Sequence, residues 1–570
     1  AKFSLSGWTT PRVVAADALR LELVLEKLTE KAMPPENARP QPGAKERTAV
    51  IAWITQLRRV EADRNAGDPG PVLARRLSNS EYDYTIRDLT GVDIRPTREF
   101  PLDPANVAGF DNSGETLAMT PALLNKYLAA ARTVADHLVL THGGLSFAPH
   151  PVVTETDRDK YCVQRIVAFY KRQPTGYSDY LLAAWRHEHR GRLGKPDARM
   201  AASARDAGVS AKYLATLYGL LAGVPTTDGP PQGPVAELRK RWRALPVPKE
   251  GQVDSVILAC ADLAKWIAAE RARWEVPETT LADSVIKPGS QPLVLMKDRT
   301  MAANRLKGNL PENPDNDPAV KALQESVTAF CAVIPDTFYV SERGRVFLAK
   351  KDRNTGRLLS AGFHLMTGYF RDDGPLYELV LDTAGRRELD RLWSELDFIT
   401  LAPVRQYRDY VFFERAESRF MEASEFDFAR SEDKDVSSPK KLKRLADLYV
   451  STARRRKVSP AVVREIETHF ATIAKSIRRV ESERLAAEPV QLKALLSLAA
   501  RAYRRPLQPG EVSNLLAFYG ELRTRHELSH ESAVRDVLVG LLVSPHFSYR
   551  VVRAETGRGT HGLDDYELAS

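Results

Sequence analysis

Six apolar residues after Ser459-Pro460 constrain this chain more than any other feature. Val462, Ile466, Phe470, Ile473, Ile477 and Val480 follow one another at spacings of four, four, three, four and three. At 3.6 residues per turn this places all six on one face of about five turns of helix. A strand would scatter them over both faces. Ser459 suits the N-cap and Pro460 the first helical position, so the start of the helix is marked as well. The same grammar recurs at Thr120-Pro121, where Leu124, Tyr127, Leu128, Ala131 and Val134 are expected to line one face.

Most of the chain obeys this period. Residues 1–62 read as a helix carrying Leu21, Leu25 and Leu28, a proline-rich loop over 34–42, and a second helix over 44–60, with a polar linker at 61–70. Residues 72–150 form the next unit: a short helix with Ser78 near its start and Leu77, Tyr84, Ile86 and Leu89, stopped by Gly91, then a loop over 100–114 dense in Pro, Asp, Asn and Gly. Residues 151–285 are helical, with aromatic positions Tyr161, Phe169, Tyr170, Tyr180 and Trp185 and a Pro/Gly-rich break at 224–234. Residues 286–430 change character. Phe338-Tyr339-Val340 and Arg345-Val346-Phe347-Leu348 read as a hairpin; 358–366 is strand or helix, undecided by period; 386–396 is helix. Residues 431–570 are helical again, with helices over 490–503, 511–522 and 532–543 after the long stripe. The expected fold class is mainly α: a multidomain helical protein with a small α+β insert in the middle.

A chain of 570 residues can hold several cores. Its 83 basic and 74 acidic side chains leave a net charge of +9, interspersed rather than concentrated, which argues against nucleic acid as a partner. The densest basic run, Arg454-Arg455-Arg456-Lys457, sits just before a helix start and reads as an interhelical turn. No apolar run reaches the roughly 18 residues a membrane span requires. Three cysteines, Cys162, Cys260 and Cys331, are too widely spaced for a disulfide framework or a zinc site.

Candidate chemistry is sparse. His187-Glu188-His189 invites a metal, but on a helix residues two apart diverge by about 200° and both imidazoles could not reach one ion. Glu425-Phe426-Asp427-Phe428 alternates; on a strand its carboxylates would share a face roughly 7 Å apart, within the range of an acid/base pair. Arg430, Glu432, Asp433, Lys434 and Asp435 crowd the same stretch, which favours a surface ion-pair network. Asp372-Asp373 before Gly374 reads as a turn rather than a calcium ligand set. The chain has no dinucleotide-binding Gly-x-Gly-x-x-Gly turn, phosphate-binding loop, nucleophile elbow or His-Glu-x-x-His motif. No catalytic residue is assigned.

Several segments together carry a family resemblance. They are Arg75-Arg76-Leu77-Ser78-Asn79-Ser80-Glu81-Tyr82, Thr85-Ile86-Arg87-Asp88-Leu89-Thr90-Gly91, Phe100-Pro101-Leu102-Asp103, Gly109-Phe110-Asp111-Asn112 and Leu124-Asn125-Lys126-Tyr127-Leu128. Arg501-Ala502-Tyr503-Arg504-Arg505-Pro506-Leu507 and Ser544-Pro545-His546-Phe547-Ser548-Tyr549-Arg550 complete the set. The chain resembles the large planctomycete-type cytochrome c proteins, exported proteins in which a cytochrome c domain precedes a string of domains of unknown function. In the middle, Gly356-Arg357-Leu358-Leu359-Ser360-Ala361-Gly362-Phe363-His364 resembles one subgroup.

The resemblance implies that residues 1–62 are the C-terminal part of a cytochrome c-like domain. Met33-Pro34-Pro35, followed by Ala49-Val50-Ile51-Ala52-Trp53-Ile54, is similar to the segment that supplies the methionine ligand of haem iron in small c-type cytochromes. Met33 is then the expected haem axial ligand; read without the resemblance, it is equally a core-filling methionine at a helix end. Haem c needs a Cys-x-x-Cys-His, which is absent here and is expected upstream of Ala1. Leu563-Asp564-Asp565-Tyr566-Glu567-Leu568-Ala569-Ser570 resembles the start of a further domain, so the chain is expected to be truncated at both ends. The functional expectation is the body of an exported, periplasmic or extracellular, cytochrome c-associated protein linked to electron transfer, whose partners are other proteins or further domains of the same polypeptide. The alternatives are a non-redox binding or structural subunit, and a polysaccharide-active enzyme.

Overall fold

Polar caps and proline starts set the helices of this chain. Ser459 accepts a hydrogen bond from the Val462 amide and Pro460 opens a helix of 43 residues, Pro460–Ala502. Ser438 caps Pro439–Arg455, Asp317 caps Pro318–Val333 and Asp382 caps Thr383–Thr400 in the same way. The computed structural model describes residues 5–64, 66, 74–106, 109, 111–112, 114, 116–223, 233–247, 254–278, 283–343, 357–360 and 368–550. The fold is mainly α, with three short two-stranded pairings among the described residues.

The chain divides into two compact units, one of residues 1–80, 101–121 and 545–570, the other of residues 81–100 and 122–544. In the first, helices Pro11–Ala16, Ala18–Thr29 and Ala44–Arg64 enclose a small core of Val14, Leu21, Val24, Leu28 and Ile54. Arg75–Arg76 pairs antiparallel with Tyr549–Arg550, Arg75 opposite Arg550 and Arg76 opposite Tyr549. Arg76 is buried against Asp103, 2.6 Å away, and the other oxygen of that carboxylate accepts from the Asn79 amide at 2.6 Å.

In the second unit the six stripe residues of helix Pro460–Ala502 are all buried, and five of them share one core with Tyr407, Tyr410, Tyr449 and Phe420. A larger core gathers Tyr161, Phe169, Tyr170, Tyr180 and Trp185 with Tyr213, Phe330 and Phe398. The hairpin of Leu138–Thr141 and Gly144–Phe147 follows helix Pro121–Asp136 directly.

Four local expectations are corrected. Pro489 does not separate two helices: it lies inside Pro460–Ala502, on an exposed face near Leu485, which is 68% exposed, so the missing amide hydrogen bond falls where water can replace it. Helix Pro121–Asp136 buries Tyr127, Ala131 and Val134 as expected, but Leu123, Ala130 and Ala135 join them while Leu124 is 44% exposed and Leu128 half-buried, a turn of the buried face by about 40°. Phe338-Tyr339-Val340 is not a strand; the pairing in this region is Glu342–Arg343 with Arg357–Leu358. Ser424–Phe426 is a turn of 3₁₀-helix rather than strand. Arg345-Val346-Phe347-Leu348, residues 361–366, most of the 224–234 break and residues 563–570 lie outside the described residues.

Candidate functional site

Met33 follows the end of helix Ala18–Thr29 and precedes Ala44–Arg64, and its backbone is held from both sides. Its amide donates to the Lys27 carbonyl at 3.2 Å, and its carbonyl accepts from Arg47 Nη1 at 2.6 Å. The loop beyond is tied down by Gln41 Nε2, which donates to the Pro35 carbonyl at 2.7 Å. The half-buried Met33 side chain packs with Trp8, Leu25, Ile51 and Leu57 against the small core. Beside this core the same two helices leave apolar side chains uncovered: Leu19 is 80% and Trp53 48% exposed, with Leu23 four residues after Leu19 and Val50 three before Trp53. A soft thioether in apolar surroundings is the right kind of donor for haem iron, and uncovered apolar faces suit a flat apolar group. The chain's own donors stop there, since no Cys-x-x-Cys-His is present.

The strongest electrostatics lie elsewhere, in the second unit. Arg343 Nη1 donates to Asp298 Oδ1 at 2.9 Å and its Nη2 to Asp372 Oδ2 at 2.6 Å. Arg305 bridges Asp372 and Asp336, each at 2.8 Å. Two buried carboxylates, Asp298 and Asp372, and the exposed Asp336 therefore face two guanidinium groups. Burial pushes the Asp298 carboxyl up to about 7, against the pull of Arg343, and Asp372 adds to the rise. Asp298 Oδ2 and Arg343 Nε are buried without a hydrogen-bond partner among the described residues.

Asp373 carries a second network. It accepts from Tyr170 at 2.8 Å and from Arg371 Nε at 2.9 Å, and Trp393 Nε1 donates to the Tyr170 hydroxyl at 2.9 Å. Asp372-Asp373 is thus neither a calcium pair nor a simple exposed turn, but two buried anchors for arginine and tyrosine. Another buried carboxylate, Glu414, accepts from Ser290, from Ser418 at 2.7 Å and from Tyr449 at 2.9 Å, while burial raises its pKa. Beside Tyr410 in the same core, His469 is buried, its Nε2 has no partner among the described residues, and desolvation pushes it down to about 3.

The other sequence candidates are dispersed into structural roles. His187 lies in the last turn of helix Tyr177–Glu188 with Nδ1 3.0 Å from Ser203 Oγ, Glu188 accepts from Trp242 Nε1 at 2.9 Å, and His189 is the C-cap. Glu425 pairs with Arg455 at 2.9 Å and Asp427 with Arg415 at 2.7 Å, so the ion-pair reading describes them and no shared carboxylate face exists. Arg454 pairs with Glu467 at 2.5 Å, and Arg456 lies 4.7 Å above the Phe420 ring. Cys162, Cys260 and Cys331 are buried free thiols. Among the described residues no group of three His, Cys, Asp or Glu side chains is placed to hold a metal ion, and no helix is long and apolar enough to cross a membrane.

Asp298, Arg305, Arg343, Glu414 and His469 were not singled out by the sequence. Helix Gln291–Ala303 has only weak amphipathic character, so nothing local marks Asp298 as inward-facing.

Two family models match the chain. Residues 75–140 match PSD3, a protein of unknown function (DUF1587), and residues 492–551 match PSD5, a protein of unknown function (DUF1595). Both are domains of unknown function typical of planctomycete cytochrome c proteins. No curated protein and no solved structure matches.

Proposed function

We propose that this chain is the body of an exported, cytochrome c-associated multidomain protein that serves electron transfer, with Met33 as an axial ligand of haem c. The observation that carries the reading is the pair of matched domains, which are of the kind that accompanies cytochrome c modules. Two features of the first unit support it. The Met33 backbone is held from both sides by Lys27 and Arg47, which limits where its sulfur can reach. The apolar faces at Leu19, Leu23, Val50 and Trp53 call for a cover that the described residues do not supply. Haem c supplies one-electron transfer, and a methionine ligand raises its potential. The chain's own part is to place the thioether, exclude water from it with Leu25, Ile51 and Leu57, and present the larger second unit to protein partners. A periplasmic or extracellular site of action belongs to the same proposal.

The test is to produce the polypeptide with its natural flanking sequence in a host competent for cytochrome c maturation and record its absorption spectrum and potential. Covalent haem is expected, and Met33→Ala should lower the potential or open a coordination position. A protein without haem, or a potential and spectrum indifferent to Met33→Ala, sinks the reading. The uncovered faces favour a second one, a non-redox subunit whose partner protein covers Leu19 and Trp53; haem-free protein that purifies with a stable partner on that face would establish it.

A further inference from the structure

The two matched segments lie far apart in sequence, with some 350 residues between them. In each compact unit they nevertheless meet. In the first unit the match over 75–140 begins with the strand that pairs with Tyr549–Arg550, at the end of the match over 492–551. The Leu77 amide extends that pairing, donating to the Ser548 carbonyl at 2.8 Å.

In the second unit the contact is made by helix His530–Val543 and the C-terminal half of Pro460–Ala502. Arg535 is the centre. Its Nη1 donates to the Ala135 carbonyl, and its Nη2 to the Leu138 carbonyl at 2.8 Å and the Val152 carbonyl at 3.4 Å. Ala135 lies in the last turn of helix Pro121–Asp136, where carbonyls have no partner within the helix. A positive charge is favoured at that helix end as well. Glu531, one turn earlier, holds Arg535 at 3.1 Å and reaches Arg158 at 3.0 Å. Just outside both matches, Gln491 Nε2 donates to the Thr141 carbonyl at 2.7 Å, and its Oε1 is held by His530 of the second segment at 2.8 Å. Against the hairpin, Gly144 comes so close to the long helix that a Cβ there would stand 2.8 Å from the Ala494 Cβ.

We infer that the PSD3-type and PSD5-type segments are two halves of one folding module, each being the docking partner of the other. The surface offered by the first is the C-terminus of helix Pro121–Asp136 and the start of the strand after it, whose Ala135 and Leu138 carbonyls accept from Arg535. The partner it fits is a helix bearing glutamate and arginine four residues apart, Glu531 and Arg535. This goes beyond the proposed function and does not depend on haem. Whatever stands between the segments in the chain must fold so as to bring them together. Arg535 is then a positioning residue whose guanidinium replaces water on two carbonyls of the first segment, those of Ala135 and Leu138.

Native-state hydrogen exchange on the full chain tests it. The amides of the hairpin 138–147 and of helix His530–Val543 should open with one common free energy. Arg535→Ala should then lower protection in both by the same factor, about tenfold or more, as expected for lost hydrogen bonds to a charged group. Helix Ala44–Arg64 should be unaffected. Arg535→Lys should restore part of the loss. If Arg535→Ala does not fold, Arg535→Gln, which shortens the side chain but keeps a donor, serves the same comparison. Hairpin protection that stays unchanged while the helix loosens, or separate opening energies in the unsubstituted chain, overturns the inference.

Discussion

Arg343 holds Asp298 by one oxygen only: Nη1 sits 2.9 Å from Oδ1, while Oδ2 is buried with no partner among the described residues. The same guanidinium is shared with Asp372. The single shared cation does not offset the desolvation of Asp298, so its carboxyl rises to about 7. The unfolded chain releases this proton near the ordinary aspartate value of 3.8, and the folded chain keeps it to about 7. Between those values the folded state binds more protons, so this group's contribution to stability is full below pH 3.8 and is lost as pH rises through 7. Lys297, Arg305, Arg343 and Asp372 face it and set the midpoint. Asp298→Asn should flatten the decline of thermal stability between about pH 4 and 7, removing at most about 4 kcal/mol of pH-dependent loss. Unfolding midpoints across that range, wild type against variant, decide it; parallel curves would count against the shift.

His469 acts in the opposite sense. Burial holds it near 3, against an ordinary histidine value of 6.5, so between these the unfolded chain binds a proton that the folded chain does not. Its contribution is complete above pH 6.5 and is lost as pH falls toward 3. His469→Leu, of similar size and without the unpartnered Nε2, should leave stability at pH 7 nearly unchanged and reduce acid loss by up to about 5 kcal/mol. Urea unfolding at pH 7 and pH 4.5 measures both limbs. An equal drop at both would show a packing role instead.

Gly144 has φ of +131° and no room for a Cβ beside Ala494. Gly144→Ala should cost about 1–3 kcal/mol through backbone strain and overlap together. Adding Ala494→Gly should recover the overlap and leave the strain. Thermal unfolding of the single and double variants separates the two. A double variant less stable than Gly144→Ala by the full cost of glycine inside a helix, about 1 kcal/mol, would show that backbone conformation accounts for the whole cost.

Trp53 is 48% exposed on helix Ala44–Arg64, outside the small core. Trp53→Ser should change folding stability by no more than about 0.5–1 kcal/mol. Binding of an apolar fluorescent dye should fall clearly if that face is an open apolar surface. Undiminished dye binding would place the apolar surface elsewhere.

The sequence by itself determined the helices, because their signals are local. Ser459-Pro460 and the stripe from Val462 to Val480 specify a start and a buried face without reference to any other segment, and the structure has both. The segments within 75–140 and 492–551 that resemble the planctomycete proteins are legible for the same reason, as continuous words in the chain, and two family models match those stretches. The tertiary structure decided which partners meet. Nothing near Asp298 announces Arg343, nothing near Arg75 announces Arg550, and Leu123 rather than Leu124 turns inward because of what packs against the helix. Period along a helix encodes that a face is buried. It carries no information about which carboxylate on that face loses its water, since desolvation depends on atoms brought from elsewhere in the chain.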